Sequence, residues 1–125
     1  MLSRACSHFS PEMFLRHAYH DSAVCAELCT LFLQVAGEQF ARLESAVQAG
    51  NVAATTHECH ALKGSLLISG AHAAIGILDH IDAEFNRQKL ACGSVRFAEL
   101  KTEIALTMED VRNFLARSER PAAQC

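Results

Sequence analysis

His60 and Lys63 are the residues of this chain whose types and spacing most clearly allow chemistry. They stand three residues apart, a spacing that places two side chains one turn from each other on a helix. A neutral imidazole carries one nitrogen lone pair for nucleophilic attack, and a nearby ammonium can stabilise an anion. The pair therefore indicates a nucleophile beside a positive charge.

The residues around His60 indicate which face of the helix it occupies. Successive helical residues are about 100° apart, so Leu62 points almost opposite to His60, while Lys63 lies about 60° away. If Leu62 faces the core, His60 faces solvent. Gly64 shares this face, and because a glycine inside a helix costs about 1 kcal/mol relative to alanine, a side chain there would obstruct something, such as a docking partner. The face also includes Ala53, Thr56, His57 and Leu67.

Metal binding is an alternative chemistry, because the chain has seven histidines and six cysteines. The pairs at helical spacing are His57 and His60, His17 and His20, and Cys25 and Cys29. Di-iron helical bundles use Glu-x-x-His pairs, and no glutamate of this chain has a histidine three residues later. Cys25 and Cys59 fall on apolar stripes, where a free cysteine behaves as a small hydrophobic residue. A metal-binding bundle is therefore the second hypothesis, which the metal content of the purified protein tests.

Two helices are predicted before the His60 segment. Ser10 caps a short helix that begins at Pro11 and runs to about Tyr19. Ser22 caps a much longer one, which ends at Ala49-Gly50-Asn51. Its apolar stripe comprises Cys25, Leu28, Phe32, Val35, Gln39, Leu43 and Val47.

Three further helices complete the prediction. The third carries His60 and is closed by Gly70, and its buried face comprises Val52, Thr55, Cys59, Leu62, Leu66 and Ser69. The fourth fades out over residues 89–93, and its stripe comprises Ala74, Ile75, Leu78, Ile81 and Phe85. Ser94 caps the fifth, whose stripe comprises Phe97, Leu100, Ile104, Met108, Val111 and Leu115.

These elements predict an all-α fold, because no alternating strand pattern competes with them. Short connections between long amphipathic helices favour an antiparallel up-down-up-down four-helix bundle with a short additional N-terminal helix. At 125 residues we expect one domain, with an N-terminal tail at 1–8, the bundle at 9–117 and a C-terminal tail at 118–125. A monomer is expected because one bundle uses all the stripes, and Met1 with the short tails favours a free-standing protein.

Composition argues against several classes of protein. The net charge of −3 and the absence of a basic run argue against nucleic acid as a partner. No secretory signal and no membrane-spanning apolar stretch is present, so we expect a soluble cytoplasmic protein that does not bind membranes, with reduced thiols. No Walker loop or other glycine-rich nucleotide cradle occurs, which excludes an autonomous kinase.

The stretch from His60 to Ser65, followed by Gly70-Ala71, closely resembles the signature of the histidine phosphotransfer (HPt) domains. The resemblance continues through Leu31-Phe32-Leu33, through the approach to the motif at Leu43 and Ala46 to Asn51, and through Ile81-Asp82, so that it covers roughly residues 9–117. Leu67 and Ser69 depart from the family pattern, which usually has a small and an apolar residue at these two places.

The resemblance implies that His60 is the phosphoacceptor, that Lys63 assists with the phosphoryl oxygens, and that Gly64 leaves room for the incoming regulator. It also implies partners, namely response regulator receiver domains and a hybrid sensor kinase. Thr56, His57, Gly64 and Leu67 would contact them. No cofactor or metal is expected in the chain, since the Mg²⁺ needed for transfer would sit in the receiver. An adaptor bundle without chemistry is a third hypothesis, but degenerate HPt domains of that kind lose the histidine.

Asp82 is a candidate for orienting His60, because family members often have a polar side chain near this place that reaches the phosphoacceptor. A carboxylate that accepts the Nδ1–H of the imidazole would fix the tautomer for attack through Nε2. Against this role, a nearby negative charge disfavours the neutral imidazole, and a side chain as short as aspartate could face only solvent. Both outcomes stay open at the level of sequence.

Overall fold

The computed structural model describes residues 8–88 and 94–118, and these residues contain five helices and no strand. The helices are α1 (Pro11–His17), α2 (Ser22–Ala49), α3 (Val52–Ser69), α4 (His72–Gln88) and α5 (Ser94–Ser118). The predicted all-α class is therefore confirmed. Residues 1–7 and 119–125 of the predicted tails (1–8 and 118–125), the end of the fourth helix at 89–93, and the side chains of Phe85 and Ser94 lie outside the description. None of the helices, within these ranges, is long and apolar enough to cross a membrane.

The first three helices begin at polar side chains that accept hydrogen bonds from backbone N–H groups. Ser10 caps α1, and Asn51 caps α3 by accepting from the Ala54 N–H at 3.0 Å, as predicted. The predicted cap of α2 is wrong by one residue. Asp21 is the N-cap, because its carboxylate accepts from two backbone N–H groups at 2.9 and 3.1 Å, and Ser22 is the first helical residue.

The first helix is shorter than predicted, because the chain turns sharply after His17. Tyr19 and His20 have positive φ angles of 55° and 58°, and the His20 N–H donates to the Leu15 carbonyl at 2.7 Å. This conformation is unusual outside glycine, although histidine adopts it more often than most residues do. It turns the chain into α2 within a few residues.

Gly70 is required where α3 turns into α4. Its φ is +66°, and a Cβ there would lie 2.7 Å from the Ser10 Cβ and 2.9 Å from the Met13 Cγ. The N–H of Ser10 donates to the Ser69 carbonyl at 2.8 Å, so the start of α1 packs directly on this turn. A side chain at Gly70 would push α1 off the bundle.

The core lies between α2, α3, α4 and α5, and α1 packs on α2 and α3. In α3 the buried face agrees with the predicted one, apart from half-buried Val52, and comprises Thr55, Cys59, Leu62, Leu66 and Ser69. In α2 it differs, because a 28-residue helix that contacts α1, α3 and α5 does not bury a single line of residues. Leu28, Val35 and Gln39 are only half-buried, whereas Cys29, Ala36 and Ala46 are buried.

Two sets of contacts hold α3 in place between its neighbours. On the α2 side, the Ser65 hydroxyl donates to the Gln39 side-chain oxygen at 2.7 Å, and Arg42 pairs with Glu58 at 3.3 Å. On its other side α3 packs against α4. The surface of α3 between these two contacts is left for solvent, and it carries His60.

Candidate functional site

His60 lies on the solvent-facing surface of α3, as the helix geometry predicted. Its side chain is 67% exposed, whereas Leu62, almost opposite on the helix, is fully buried. A buried helix face thus fixes the backbone that carries His60, while the imidazole itself is open to a reactant from solution.

Asp82 on α4 contacts His60 on the neighbouring α3. Its Oδ2 lies 3.4 Å from the Nε2 of His60, and its side chain is only 23% exposed. The prediction that Asp82 contacts the imidazole therefore agrees with the geometry, and the alternative that it faces only solvent does not. This distance is longer than the roughly 2.7–3.2 Å of a well-formed hydrogen bond, so the contact is a weak one.

The nitrogen that Asp82 contacts is not the predicted one. We expected Nδ1, but the Asp82 carboxylate contacts the distal nitrogen, Nε2, at the outer end of the imidazole. A proton held between Nε2 and Asp82 leaves the lone pair on Nδ1. Attack through Nε2 would therefore require the imidazole to leave Asp82 first.

Lys63 forms a second contact with α4, an ion pair that the sequence reasoning missed. Its Nζ lies 3.0 Å from the Oδ1 of Asp79, and both side chains are partly exposed, at 39% and 49%. One signal was available in the sequence. Asp79 and Asp82 are three residues apart, as are His60 and Lys63, so two facing helices can pair them turn for turn.

The predicted partner-binding residues lie on the same side of α3 as His60. His57, Gly64 and Leu67 are exposed and Thr56 is half-buried. A Cβ built on Gly64 would meet nothing within 4 Å among residues 8–88 and 94–118, so no contact within these ranges explains this glycine. Leu67, the departure from the family pattern, is 49% exposed.

An apolar groove between α2 and α3 adjoins this face, and the sequence reasoning did not identify it. We call it the α2–α3 groove, lined by Leu28, Leu31, Phe32, Val35, Ser65 and Ile68. Leu31 is 55% and Ile68 is 37% exposed. Its signal was the half-buried part of the α2 stripe, which we had assigned to the core.

The cysteines do not form a reactive or metal-binding centre in the part of the chain that the structure describes. Burial, and secondarily the neighbouring Cys25, raise the pKa of the Cys29 thiol to about 12, so it stays protonated. Metal ligation needs the thiolate. Over residues 8–88 and 94–118 we find no group of three or more His, Cys, Asp or Glu side chains that could hold a metal ion.

The chain matches one family of known proteins. The family model described as Hpt domain matches residues 27–114, from the first turns of α2 to near the end of α5. A search among curated proteins and a search among solved structures each found no match. The matched stretch includes His60, Lys63 and Gly64 as well as both aspartates of α4. The match covers well over half of the chain, which therefore belongs to the family of histidine phosphotransfer (Hpt) domains.

Proposed function

We propose that this chain is a histidine-containing phosphotransfer protein of a two-component phosphorelay. It accepts a phosphoryl group on His60 from the phosphoaspartate of one receiver domain and passes it to the aspartate of another. The observation that carries the proposal is an imidazole that is 67% exposed at the motif position of an Hpt domain, with a lysine one turn away.

The proposed reaction requires this chain mainly to position His60 and to supply a positive charge near the phosphoryl oxygens. In the accepting step, the bond between phosphorus and the aspartyl oxygen breaks, and a bond forms between phosphorus and a nitrogen of His60. Phosphoryl transfer depends mainly on alignment and on stabilising the phosphoryl oxygens. His60 on a packed helix supplies the first, and the Lys63 ammonium contributes to the second.

The partners meet the remaining requirements of the reaction. Receiver domains, one of them from a hybrid sensor kinase, supply the acidic pocket with its Mg²⁺, and this chain contributes no metal or cofactor. It acts in the cytoplasm as a monomer with up-down-up-down helices. Two contacts between α3 and α4 favour this antiparallel order. From His60 to Lys63 the residue numbers rise along α3, while the numbers of their partners on α4 fall from Asp82 to Asp79.

The docking surface that we propose combines the exposed face of α3 with the α2–α3 groove. Gly64 permits close approach beside His60, and Leu67 and Ile68 offer apolar contacts that a partner would bury. On this interpretation Leu67 does not block docking but contributes a contact. This is how the chain accommodates a large residue where the family usually has a small one.

Incubation of the purified protein with a phosphorylated receiver domain tests the proposal. Transfer of label to this chain, in a form that is stable to alkali and lost in acid, is the expected result. Binding of the receiver without any transfer would support the adaptor hypothesis instead.

We expect Asp82→Ala to slow phosphotransfer to His60 by roughly fivefold, because it removes a contact worth about 1 kcal/mol that orients the imidazole through Nε2 and leaves the Nδ1 lone pair for attack. The imidazole is mostly exposed, so little else restrains its orientation. Transfer from a phosphorylated receiver gives the rate, and circular dichroism checks the helical fold.

Glu99→Ala is the matched control for Asp82→Ala. It removes an exposed carboxylate of α5 that pairs with Arg96, far from His60 in sequence and on a different helix. Its rate should equal that of the parent. A folded Asp82→Ala protein that also transfers at the parent rate would show that Asp82 has no part in the site.

A further inference from the structure

The contact between Lys63 and Asp79 bears on how stable the phosphorylated protein is. We propose that Asp79 is a positioning residue, which engages the Lys63 ammonium in the unphosphorylated chain and competes with the phosphoryl group for it. This inference rests on the proposed function, since it concerns phosphohistidine at His60. It assigns to Asp79 the role of limiting phosphohistidine lifetime.

The two helices present complementary charges at matching intervals. His60 and Lys63 stand one turn apart on α3, and Asp82 and Asp79 stand one turn apart on α4. Each basic group contacts its own carboxylate, with 3.4 Å between His60 and Asp82 and 3.0 Å between Lys63 and Asp79. The ammonium is therefore already committed to a carboxylate before any phosphoryl group arrives.

Phosphorylation changes this balance of charge. A phosphoryl group brings up to two negative charges at neutral pH to a site that already holds two carboxylates on α4. Lys63 is the cation one turn along α3, so it is drawn from Asp79 toward the phosphoryl oxygens. Both side chains of the ion pair are partly exposed, at 39% and 49%, so separating them costs little free energy. In the phosphorylated protein the Lys63 ammonium therefore divides its time between the phosphoryl oxygens and Asp79.

The lifetime of phosphohistidine should depend on the fraction of time that Lys63 pairs with Asp79. In hydrolysis, water forms a bond to phosphorus, the bond from phosphorus to the imidazole breaks, and the released ring nitrogen takes a proton. A Lys63 ammonium on the phosphoryl oxygens stabilises phosphohistidine itself and occupies one side of the phosphorus that water must approach. Freeing Lys63 from Asp79 strengthens this contact and should therefore slow the loss of phosphate.

Chemical phosphorylation tests this without any partner protein. With phosphoramidate, the P–N bond of the reagent breaks as the bond from phosphorus to His60 forms, and the displaced ring proton leaves with ammonia as ammonium. After the reagent is removed, ³¹P NMR follows the decay of phosphohistidine. We expect Asp79→Asn to lengthen the lifetime by about two- to fivefold, the range of a partly exposed ion pair.

Three comparisons make the test specific to Lys63. Asp79→Glu should restore a lifetime near that of the parent, and Glu99→Gln should leave it unchanged. In a Lys63→Ala background, Asp79→Asn should have no further effect. Equal lengthening in that background would assign the effect to general charge and overturn the proposal, as would an unchanged or shorter lifetime in Asp79→Asn alone.

The same experiment separates this inference from the proposed function. Label on His60 with a lifetime that does not respond to Asp79→Asn overturns only the role of Asp79. Absence of label from His60 in the parent and in every folded variant overturns phosphotransfer and the role of Asp79 together.

Discussion

The His60→Gln variant is expected to take up no phosphoryl label from a receiver domain, whereas His57→Gln keeps the parental level. The amide nitrogen of glutamine has no free lone pair, so it cannot form the bond to phosphorus that the imidazole forms. The substitution replaces one exposed polar side chain with another, and the backbone of α3 is held by residues on its opposite face. Loss of label therefore reports on chemistry and not on folding.

His57→Gln is the matched control because the two histidines lie on the same helix, three residues apart, and both are exposed. Label on the parent should be stable in alkali and lost in acid, as expected for a phosphoramidate. Circular dichroism should show equal helix content in the three proteins. Retained label in His60→Gln, or loss only in His57→Gln, would reverse the assignment.

The sequence was sufficient to predict the helix that carries His60 and the face on which it lies. In α3 the apolar residues recur with helical spacing, and a cap at Asn51 and a terminating Gly70 bound the segment. Once Leu62 is placed in the core, the exposure of His60 follows from helix geometry alone. Local information decides these features.

Features that depend on how two helices meet were not predictable from the sequence. The pairing of Lys63 with Asp79, and the contact of Asp82 with Nε2, are set by the register of α3 against α4 and by side-chain conformation. That register follows from the turn at Gly70, where a close contact with α1 also matters. Hydrophobic periodicity contains no information on any of these distances.

The α2–α3 groove was missed for a related reason. Leu28 and Val35 fit the predicted stripe of α2, so they were assigned to the core, although both are only half-buried. Periodicity predicts the direction of a side chain but not whether a neighbouring helix covers it completely. Here the exposed Leu31 and Ile68 border the groove and leave it open to a partner.

Gly64 provides the sharpest test of that docking surface, because its replacement should have opposite effects on stability and on transfer. It lies inside α3, it is exposed, and an added Cβ meets nothing within 4 Å. Gly64→Gln should therefore raise the free energy of unfolding by about 0.5–1 kcal/mol, the difference in helix propensity. Urea unfolding measures this change.

The same substitution should slow transfer from a phosphorylated receiver by about 30-fold, because a side chain beside His60 would keep the partner from close approach at a cost of about 2 kcal/mol. Gly76→Gln is the matched control, since Gly76 is also exposed inside a helix and open to a Cβ, but lies on α4. It should gain similar stability and transfer at the parent rate. Labelling with phosphoramidate needs no docked protein, so Gly64→Gln should retain it, which separates a docking defect from a chemical one. Parental transfer by a stabilised Gly64→Gln protein would place the receiver elsewhere on the bundle and leave this glycine without a role in docking.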